Sequence, residues 1–289
     1  MSSKKAEISA SSKVWFITGS SSGFGLALAR EALIRGDQVV ATARKPEALA
    51  HLAAEFPERV LLAELDVTRP DQVRAAVAAA VARFDRIDVL VNNAGFSIIG
   101  ALEETSEAQL RETMELMFFG AVAATREVLP HMRERKSGTI VQITSVGGIT
   151  TAPGFGAYCA AKHALEGLSE CLALETKPFG VRVLIVEPGA FRTGLFGSAF
   201  RRMKALDVYA ATVGATRDWV TQTAGEQVGD PVKAARAIFE VVTASQAEAG
   251  PLRLPLGDDA VDLIRAKLSA IAADVDRTEP IARATAFDG

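Results

Sequence analysis

Short apolar runs alternate with amphipathic stretches rich in alanine and leucine along the first two thirds of the chain. The apolar runs occupy positions 14–18, 38–43, 60–67, 87–95, 138–145 and 181–189. Most of these runs are apolar at successive positions, which is typical of strands buried on both faces of a parallel sheet. The alternation therefore predicts an α/β fold in which a parallel sheet of about seven strands has helices on both faces.

Domain organisation follows from the same pattern. No stretch rich in proline, glycine or serine interrupts the alternation, which predicts a single domain over residues 13–260. Residues 1–12 are expected to form a flexible N-terminal segment and residues 261–289 a helical tail. The alternation stops after Pro188, so segment 190–228 is expected to form a lid over a site at the strand ends.

Charge and hydropathy exclude several classes of partner. The net charge of the 289-residue chain is only −3, and its basic residues are scattered, which disfavours nucleic acid and anionic membranes. No apolar run approaches the roughly twenty residues that span a bilayer, and the polar start lacks the apolar segment of a signal peptide. A cytoplasmic protein without membrane insertion is expected.

Cysteine and histidine positions indicate neither a disulfide nor a metal site. Cys159 and Cys171 are twelve residues apart on one predicted helix, about 18 Å along its axis, which excludes a bond between them and fits a reducing compartment. His51, His131 and His163 show no metal-ligand spacing, so no metal is predicted.

A glycine-rich segment, TGSSSGFG at residues 18–25, follows the first predicted strand. Glycines there permit a tight turn and a close approach of backbone to a phosphate, which N–H groups at the start of the next helix would bind. The candidate cofactor-binding residues of this turn are Gly19, Ser21, Ser22, Gly23, Phe24 and Gly25. The spacing differs from G-x-G-x-x-G, so an ordinary strand–helix turn remains an alternative.

The same segment also matches G-x-S-x-G, the nucleophile turn of α/β-hydrolases, with Ser21 as nucleophile. A hydrolase of that type needs its histidine late in the chain, whereas the last 126 residues contain none. The hydrolase is therefore a remote alternative.

The end of the second strand indicates which dinucleotide is bound. NAD sites usually carry an acidic residue there, but this chain has Ala43 followed by Arg44 and Lys45. A guanidinium suits the 2′-phosphate of NADP. NADP(H) is therefore favoured over NAD(H), although a solvated pair of surface cations remains an alternative.

Three side chains are candidates for the chemistry. Tyr158 and Lys162 share one face of a predicted helix, and Ser145 ends an apolar strand thirteen residues before Tyr158. Hydride transfer to a carbonyl needs a proton donor, and a nearby ammonium, together with the positive ring of the oxidised nicotinamide, is expected to lower the pKa of the Tyr158 phenol. The Ser145 hydroxyl would polarise the carbonyl oxygen. An ordinary amphipathic helix is the alternative.

These motifs together resemble the short-chain dehydrogenase/reductase family, in its single-domain branch, over residues 14–256. The resemblance implies a doubly wound Rossmann-type sheet, and it implies that Asn92 supports the central strand and that Lys162 also bonds the nicotinamide ribose. Further cofactor contacts that it implies are Asp66, Val67, Asn93, Ala94, Gly95, Tyr158, Pro188, Gly189 and Thr193.

One position departs from the family pattern. The family usually carries an asparagine in the fourth helix that helps to hold a water linked to the lysine, whereas Met117 stands there in this chain. A thioether cannot replace the hydrogen bonds of an amide. Either a rearranged relay supports turnover, or turnover is slow, or the protein is a regulatory NADP(H)-binding protein; a simple core role for Met117 with normal turnover is also open.

The overall pattern is similar to hydroxysteroid and retinol dehydrogenase-like members. Apolar residues of segment 190–228 and of the loop at 96–99 could enclose an apolar or cyclic substrate, or pack the domain or a subunit interface. The resemblance implies a homodimer or homotetramer paired through helices at 107–130 and 157–174. The function expected is NADP(H)-dependent interconversion of a ketone or aldehyde and an alcohol, as in a carbonyl reductase.

Overall fold

The structure is a computed structural model that describes residues 12–197, 200–244 and 250–287. The predicted flexible segment, residues 1–12, lies outside the described residues except for Ser12. The strands are β1 (Val14–Ile17), β2 (Gln38–Ala43), β3 (Val60–Glu64), β4 (Val89–Asn92), β5 (Ser97–Ile99), β6 (Gly138–Ile143), β7 (Val181–Pro188), β8 (Phe200–Arg202) and β9 (Arg253–Leu256). The helices are α1 (Gly23–Ile34), α2 (Ala50–Glu55), α3 (Pro70–Phe84), α4 (Glu107–Met114), α5 (Gly120–Arg135), α6 (Gly156–Thr176), α7 (Ala215–Thr223), α8 (Pro231–Thr243) and α9 (Asp258–Arg283).

Seven strands form one parallel sheet in the order β3-β2-β1-β4-β6-β7-β9, which confirms the predicted sheet of about seven strands. Strand order reverses between β1 and β4, the position at which doubly wound sheets open a crevice for ligands. Parallel strands all end at the same sheet edge, so the residues that follow them lie along one line.

The core lies on both faces of this sheet. Trp15 and Ile17 of β1 point into one apolar layer, where Trp15 stacks on Phe239 of α8 with ring centroids 5.4 Å apart. Val14 and Phe16 point into the other layer, which contains residues of α3 and α5. This two-residue period explains why β1 is apolar at every position.

The predicted fourth helix is interrupted. A π-helical turn at residues 115–119 joins α4 to α5, and it contains the buried Met117. Such turns insert one extra residue per turn and recur at functional sites. The sequence pattern missed this turn because the apolar spacing on either side of it is ordinary.

The expected lid contains more regular structure than its sequence predicts. Strand β8 pairs in parallel with β5, and Arg217 of α7 forms an ion pair of 2.6 Å with the buried Glu104. These contacts attach segment 190–228 to the loop that follows β4. Among the described helices, none is both long and apolar enough to span a bilayer.

Candidate active site

The turn between β1 and α1 approaches the end of β4 closely. Gly19 and Gly23 have positive φ angles of 69° and 56°, which favour glycine. A Cβ on Gly25 would lie 2.4 Å from the Gly19 carbonyl oxygen and 2.5 Å from Asn93 Nδ2, so only glycine fits there. Ser21 and Ser22 are exposed beside them, and Ser22 caps α1 without a side-chain hydrogen bond. The backbone N–H groups at the start of α1 therefore fit a phosphate.

Asn93 and Thr18 hold this turn against β4. Asn93 Nδ2 donates to the carbonyls of Thr18 and Gly19, at 2.9 and 3.0 Å. Thr18 Oγ1 accepts from the N–H groups of Asn93 and Ala94, at 2.9 and 3.1 Å. Sequence reasoning missed Thr18, because a threonine at the end of a strand has no distinctive pattern.

Residues after β2 and β3 continue the same edge. Arg44 and Lys45 are exposed and form no ion pair with any described residue, whereas Ala43 is buried. A hydrogen bond of 2.8 Å from Ser20 N–H to the Thr42 carbonyl ties this strand end to the glycine turn. After β3, Asp66 Oδ1 accepts from Thr68, and Val67 is buried.

Tyr158, Lys162 and Ser145 come together where β6 ends and α6 begins. Lys162 Nζ lies 5.8 Å from the centroid of the Tyr158 ring and donates to the Ile143 carbonyl at 2.8 Å. Ser145 Oγ accepts from Gly147 N–H at 3.0 Å, which orients the hydroxyl at the start of a short 3-10 turn. The structure therefore brings the three predicted side chains close together.

The pKa of Tyr158 is shifted in the direction opposite to the one expected. Burial raises the pKa of Tyr158 to about 12, while the hydrogen bond with Ser145 acts in the lowering direction. Burial also lowers the pKa of Lys162 to about 8, and the nearby Glu166 carboxylate acts to raise it. Both shifts disfavour the charged form, because desolvation outweighs the attraction between ammonium and phenolate at this distance.

A small cavity of about 10 Å³ adjoins the lysine, and its wall includes Lys162, Met117, Asn92 and Thr18. Asn92 Nδ2 donates to Thr125 and Gln142, while Asn92 Oδ1 is buried with no hydrogen-bond partner among the described residues. Met117 also lies near Gly95: a Cβ added to Gly95 would be 3.6 Å from Met117 Sδ. The methionine thus fills the space beside the ammonium with apolar surface.

The segment after β7 lies next to the glycine turn. A Cβ on Gly23 would contact Thr193 Cβ at 3.4 Å, and Phe24 packs on Phe191 with ring centroids 5.1 Å apart. Ser145 Oγ is 3.5 Å from the Pro188 carbonyl oxygen, a long contact. The segment after Pro188 therefore adjoins both the glycine turn and the pocket of Tyr158.

Asp259 of α9 fixes the backbone after Gly189. Its Oδ2 accepts from Ala190 N–H at 2.7 Å, and a Cβ on Gly189 would lie 2.1 Å from its Oδ1. Sequence reasoning missed Asp259, because it is about 70 residues away in sequence.

A buried ionic cluster lies behind the lysine. Arg253 of β9 pairs with Glu166 at 2.6 Å and also with Glu187 and Glu170. Glu166 and Glu187 are almost fully buried, and burial raises the pKa of Glu187. Because Glu166 is one helical turn from Lys162, this cluster holds a negative charge close to the ammonium. Only the fold reveals it, since its members come from three separate elements.

Aromatic side chains pack together on the other side of Tyr158. Phe155 lies 6.3 Å from Tyr158, and Phe196 contacts Phe155, Phe200 and Trp219 at centroid distances of 5.6–6.4 Å. Phe155, Phe196 and Phe200 belong to one apolar cluster with the buried Phe96, Ile98 and Ile99, whereas Trp219 is 45% exposed. Within the described residues, no group of three His, Cys, Asp or Glu side chains could hold a metal.

The reversal of strand order beside the glycine turn defines a doubly wound α/β protein of Rossmann type. The chain belongs to the short-chain dehydrogenase/reductase family of oxidoreductases, since the family model described as short chain dehydrogenase matches residues 13–204. The chain is 40% identical over 275 residues to the protein named Oxidoreductase BOA17 of Botryotinia fuckeliana, covering 95% of this chain and 99% of that protein.

Solved structures show the same fold. The crystal structure of a short-chain dehydrogenase from Streptomyces avermitilis matches with a TM-score of 0.90 and 48% identity, covering 96% of this chain and 100% of that one. A structure of ElxO with NADP bound matches with a TM-score of 0.72 and 26% identity, covering 87% of this chain and 99% of that one. The resemblance to the family is therefore confirmed.

The close approach at Gly25 can be tested by Gly25→Ala. The added Cβ, 2.4 Å from the Gly19 carbonyl, forces the turn away from β4, and we expect a loss of about 1–3 kcal/mol in the free energy of unfolding. Gly167→Ala in α6 is the matched control, because its Cβ meets no atom within 4 Å; it should stabilise by about 0.5–1 kcal/mol. Denaturant unfolding measures the free energy of unfolding of both variants. A Gly25→Ala protein as stable as the wild type would contradict the close approach.

Proposed function

We propose that this chain is an NADP(H)-dependent oxidoreductase that interconverts a ketone or aldehyde and an alcohol. The observation that carries the proposal is the buried cluster in which Tyr158, Lys162 and Ser145 meet. We infer that residues 13–260 act as one catalytic domain, with segment 190–228 as its substrate lid. A cytoplasmic location is part of the same proposal.

The residues present fit a nicotinamide dinucleotide. The positive φ angles of Gly19 and Gly23 and the close approach at Gly25 shape a turn in which the backbone N–H groups at the start of α1 would bind a pyrophosphate. Ser21, Ser22 and the backbone of Phe24 would complete that contact, Asp66 and Val67 would flank the adenine, and Asn93, Ala94 and Gly95 would line the middle of the crevice. Pro188, Gly189 and Thr193 would contact the nicotinamide end, since Thr193 adjoins Gly23.

The exposed cations after β2 support NADP(H) rather than NAD(H). Arg44 and Lys45 extend from a strand end that is hydrogen-bonded to the glycine turn, and the acidic residue typical of NAD sites is replaced by Ala43. A 2′-phosphate would give the guanidinium of Arg44 a bidentate partner.

The catalytic roles follow from protonation states. When bound, the dinucleotide supplies or accepts the hydride. Tyr158 is protonated at neutral pH because burial holds its pKa near 12, so in the reduction direction its hydroxyl donates a proton to the nascent alkoxide. The Ser145 hydroxyl hydrogen-bonds the substrate oxygen, and the Lys162 ammonium stabilises the phenolate that proton donation leaves.

The aromatic lining supports an apolar or cyclic substrate. Phe155 packs on the Tyr158 ring and Phe196 packs on Phe155, so apolar side chains cover the phenol on this side. The lid is attached by the β5–β8 pair and by the Arg217–Glu104 ion pair. A small-molecule carbonyl or alcohol is thus the expected partner.

We also propose a homodimer or homotetramer that pairs through α4, α5 and α6. A groove of about 640 Å³ there is lined by Met114, Phe119, Ala157 and Ala160 among other residues, and Phe119 is half exposed. Small alanines permit close packing of helices.

Met117 favours a second candidate, a regulatory protein that binds NADP(H) with little turnover, since it places a thioether in the wall of the cavity beside the lysine. Following NADPH absorbance over a panel of aromatic and alicyclic ketones separates the two candidates. Oxidation of NADPH with any ketone supports the enzyme, whereas tight NADPH binding without oxidation supports the regulatory protein.

The hydrolase has no support, because Ser21 hydrogen-bonds no histidine within the described residues.

Tyr158→Phe is expected to abolish turnover, by at least about a thousandfold, because a phenyl ring carries no proton to donate. NADPH affinity should stay within a few-fold, since the ring itself is retained. Tyr209→Phe is the matched control: it removes the only other tyrosine hydroxyl, which bonds Glu103 at an exposed position. Steady-state kinetics and NADPH fluorescence titration measure both effects, and a substantial residual rate for Tyr158→Phe would refute its role.

Arg44→Ala is expected to weaken NADPH binding by about tenfold or more while changing NADH binding little, because only NADPH offers a phosphate to the guanidinium. Arg236→Ala, on the exposed side of α8, changes the net charge equally and serves as the control. Dissociation constants for the two dinucleotides decide the point. If Arg44→Ala weakened NADPH and NADH binding equally, Arg44 would not contact the 2′-phosphate.

Met117→Asn should change the pH dependence of reduction. The Lys162 ammonium, with a pKa of about 8, loses its charge as pH rises through that value, so the wild-type rate should fall above about pH 8. An amide beside Lys162 would accept a hydrogen bond from the ammonium and raise its pKa, which moves the decline to higher pH. Profiles of kcat against pH measure the shift. An unchanged profile would show that the side chain at position 117 does not influence the pKa of Lys162.

A further inference from the structure

Glu166 occupies a position on α6 that the three catalytic candidates leave unexplained. It lies one helical turn after Lys162 on the same face of the helix, and only 4% of its surface is exposed. Its Oε2 accepts from Arg253 at 2.6 Å, while its Oε1 is buried without a hydrogen-bond partner among the described residues. A carboxylate buried in this way costs folding free energy, which makes Glu166 a candidate for a role in the site.

The Glu166 side chain packs against the turn that follows Ser145. A Cβ on Gly148 would lie 2.9 Å from Glu166 Cγ and 3.0 Å from its Oε1. Gly148 N–H donates to the Ser145 carbonyl at 2.8 Å and so closes the short 3-10 turn at residues 146–148. Glu166 therefore lies against the turn that orients the Ser145 hydroxyl, and it is also one helical turn from Lys162.

Arg253 holds the Glu166 carboxylate in this place. The guanidinium also pairs with Glu187 of β7 and with Glu170, which lies one turn further along α6. An ion pair with a guanidinium favours the charged form of a carboxylate and restricts its direction. The anchor thus keeps a charged Glu166 oriented inside the protein.

Along the described length of α6, Glu166 is the charged neighbour of Lys162. Tyr158 and Cys159 lie on the same side of the helix, and burial raises the pKa of each, which keeps both neutral at pH 7. His163 is exposed. The helix therefore presents one negative charge to the lysine.

The other described elements around Lys162 add little net charge. The remaining side chains that wall the cavity beside the amine are uncharged: Thr18, Val67, Asn92, Ala94, Leu116, Met117, Ala121, Ile143 and Leu165. Glu187 of β7 pairs with Arg253 of β9, so these two charges offset each other, and Glu115 of the π-helical turn is exposed. Burial lowers the pKa of Lys162 to about 8, and the Glu166 carboxylate acts to raise it.

We propose that Glu166 is a positioning residue for the proposed reduction. Anchored by Arg253, it holds a negative charge one helical turn from Lys162 and supports the turn that orients Ser145. The charge favours the ammonium form of the lysine, which stabilises the phenolate that proton donation leaves on Tyr158. This role rests on the proposed function, since the ammonium matters to the reaction only if Tyr158 donates a proton.

Titration of Lys162 tests the charge without any turnover. In protein labelled with 13C-lysine, the NMR resonance of Lys162 is identified by its loss in Lys162→Arg. Glu166→Gln keeps the shape of the side chain and removes its charge, so it should lower the pKa of Lys162 by about one unit. Glu170→Gln is the matched control, because it removes an exposed carboxylate from the same guanidinium about two helical turns from Lys162, and it should leave that pKa unchanged. An unchanged pKa of Lys162 in Glu166→Gln, or equal shifts in the two variants, would overturn the proposal.

The Glu166→Gln protein is expected to fold, because Arg253 keeps its pairs with Glu170 and Glu187. If the glutamine variant does not fold, Glu166→Met takes its place, since it fills the same space without a buried amide. The same decrease in the pKa of Lys162 is expected, and its absence would count equally against the proposal.

The pH profile of turnover separates the charge from a merely structural role. A lower pKa means that the Lys162 ammonium is lost at lower pH, so the fall in kcat should begin about one unit lower in Glu166→Gln than in the wild type. By the same shift, kcat should be about halved at pH 7 and nearly equal to the wild type at pH 6. Glu166→Asp restores a carboxylate and should move the profile back toward the wild type. A loss of kcat by the same factor at every pH would show a packing role only and would overturn the proposal.

Failure of this role and failure of the proposed function give different results. If the wild type reduces ketones but the pKa of Lys162 is the same in Glu166→Gln, the role of Glu166 fails and the proposed function stands. If the pKa of Lys162 falls in Glu166→Gln but no ketone is reduced by the wild type, the charge acts on the lysine as proposed and the proposed function fails.

Discussion

The contact between the glycine turn and the end of β4 is the constraint on which the site depends. The Asn93 amide donates to two carbonyls of the turn, and it can do so only because Gly25 has no side chain to occupy the same space. This contact joins β1 to β4 at the reversal of strand order. It therefore fixes where the crevice opens, and the residues that follow β2, β3, β6 and β7 are positioned relative to that crevice by those strands, while α6 positions Tyr158 and Lys162.

Burial is the second determinant, because it sets the protonation of the reactive pair. Tyr158 and Lys162 both lie in apolar surroundings, and desolvation favours the neutral form of each. The Ile143 carbonyl and the Glu166 carboxylate act against that trend for the ammonium. The balance leaves a phenol that holds its proton at neutral pH and a lysine close to titration. Such a pair is sensitive to any further charge placed in the crevice.

Periodicity predicted the parallel sheet, and local motifs predicted the residues at the strand ends, because strand position and sequence position coincide there. The glycine turn, Ser145 and the pair in α6 lie where their spacing placed them. The direction of the Tyr158 shift could not be predicted, since it depends on how much of the whole chain covers the ring. The pairing of β5 with β8 was also missed, because it joins segments about a hundred residues apart by backbone contacts.

The C-terminal part of the chain completes the site that the earlier part begins. The family model ends at residue 204, yet Arg253 of β9 neutralises the carboxylates behind Lys162, and Asp259 holds the backbone that follows β7. Both residues belong to one continuous segment that passes through Gly257 into α9. Without Arg253, the buried Glu187 would lose its ion-pair partner and Glu166 would keep only the nearby Lys162 ammonium, which is strongly unfavourable. The geometry around the lysine thus depends on residues that lie beyond the matched family region.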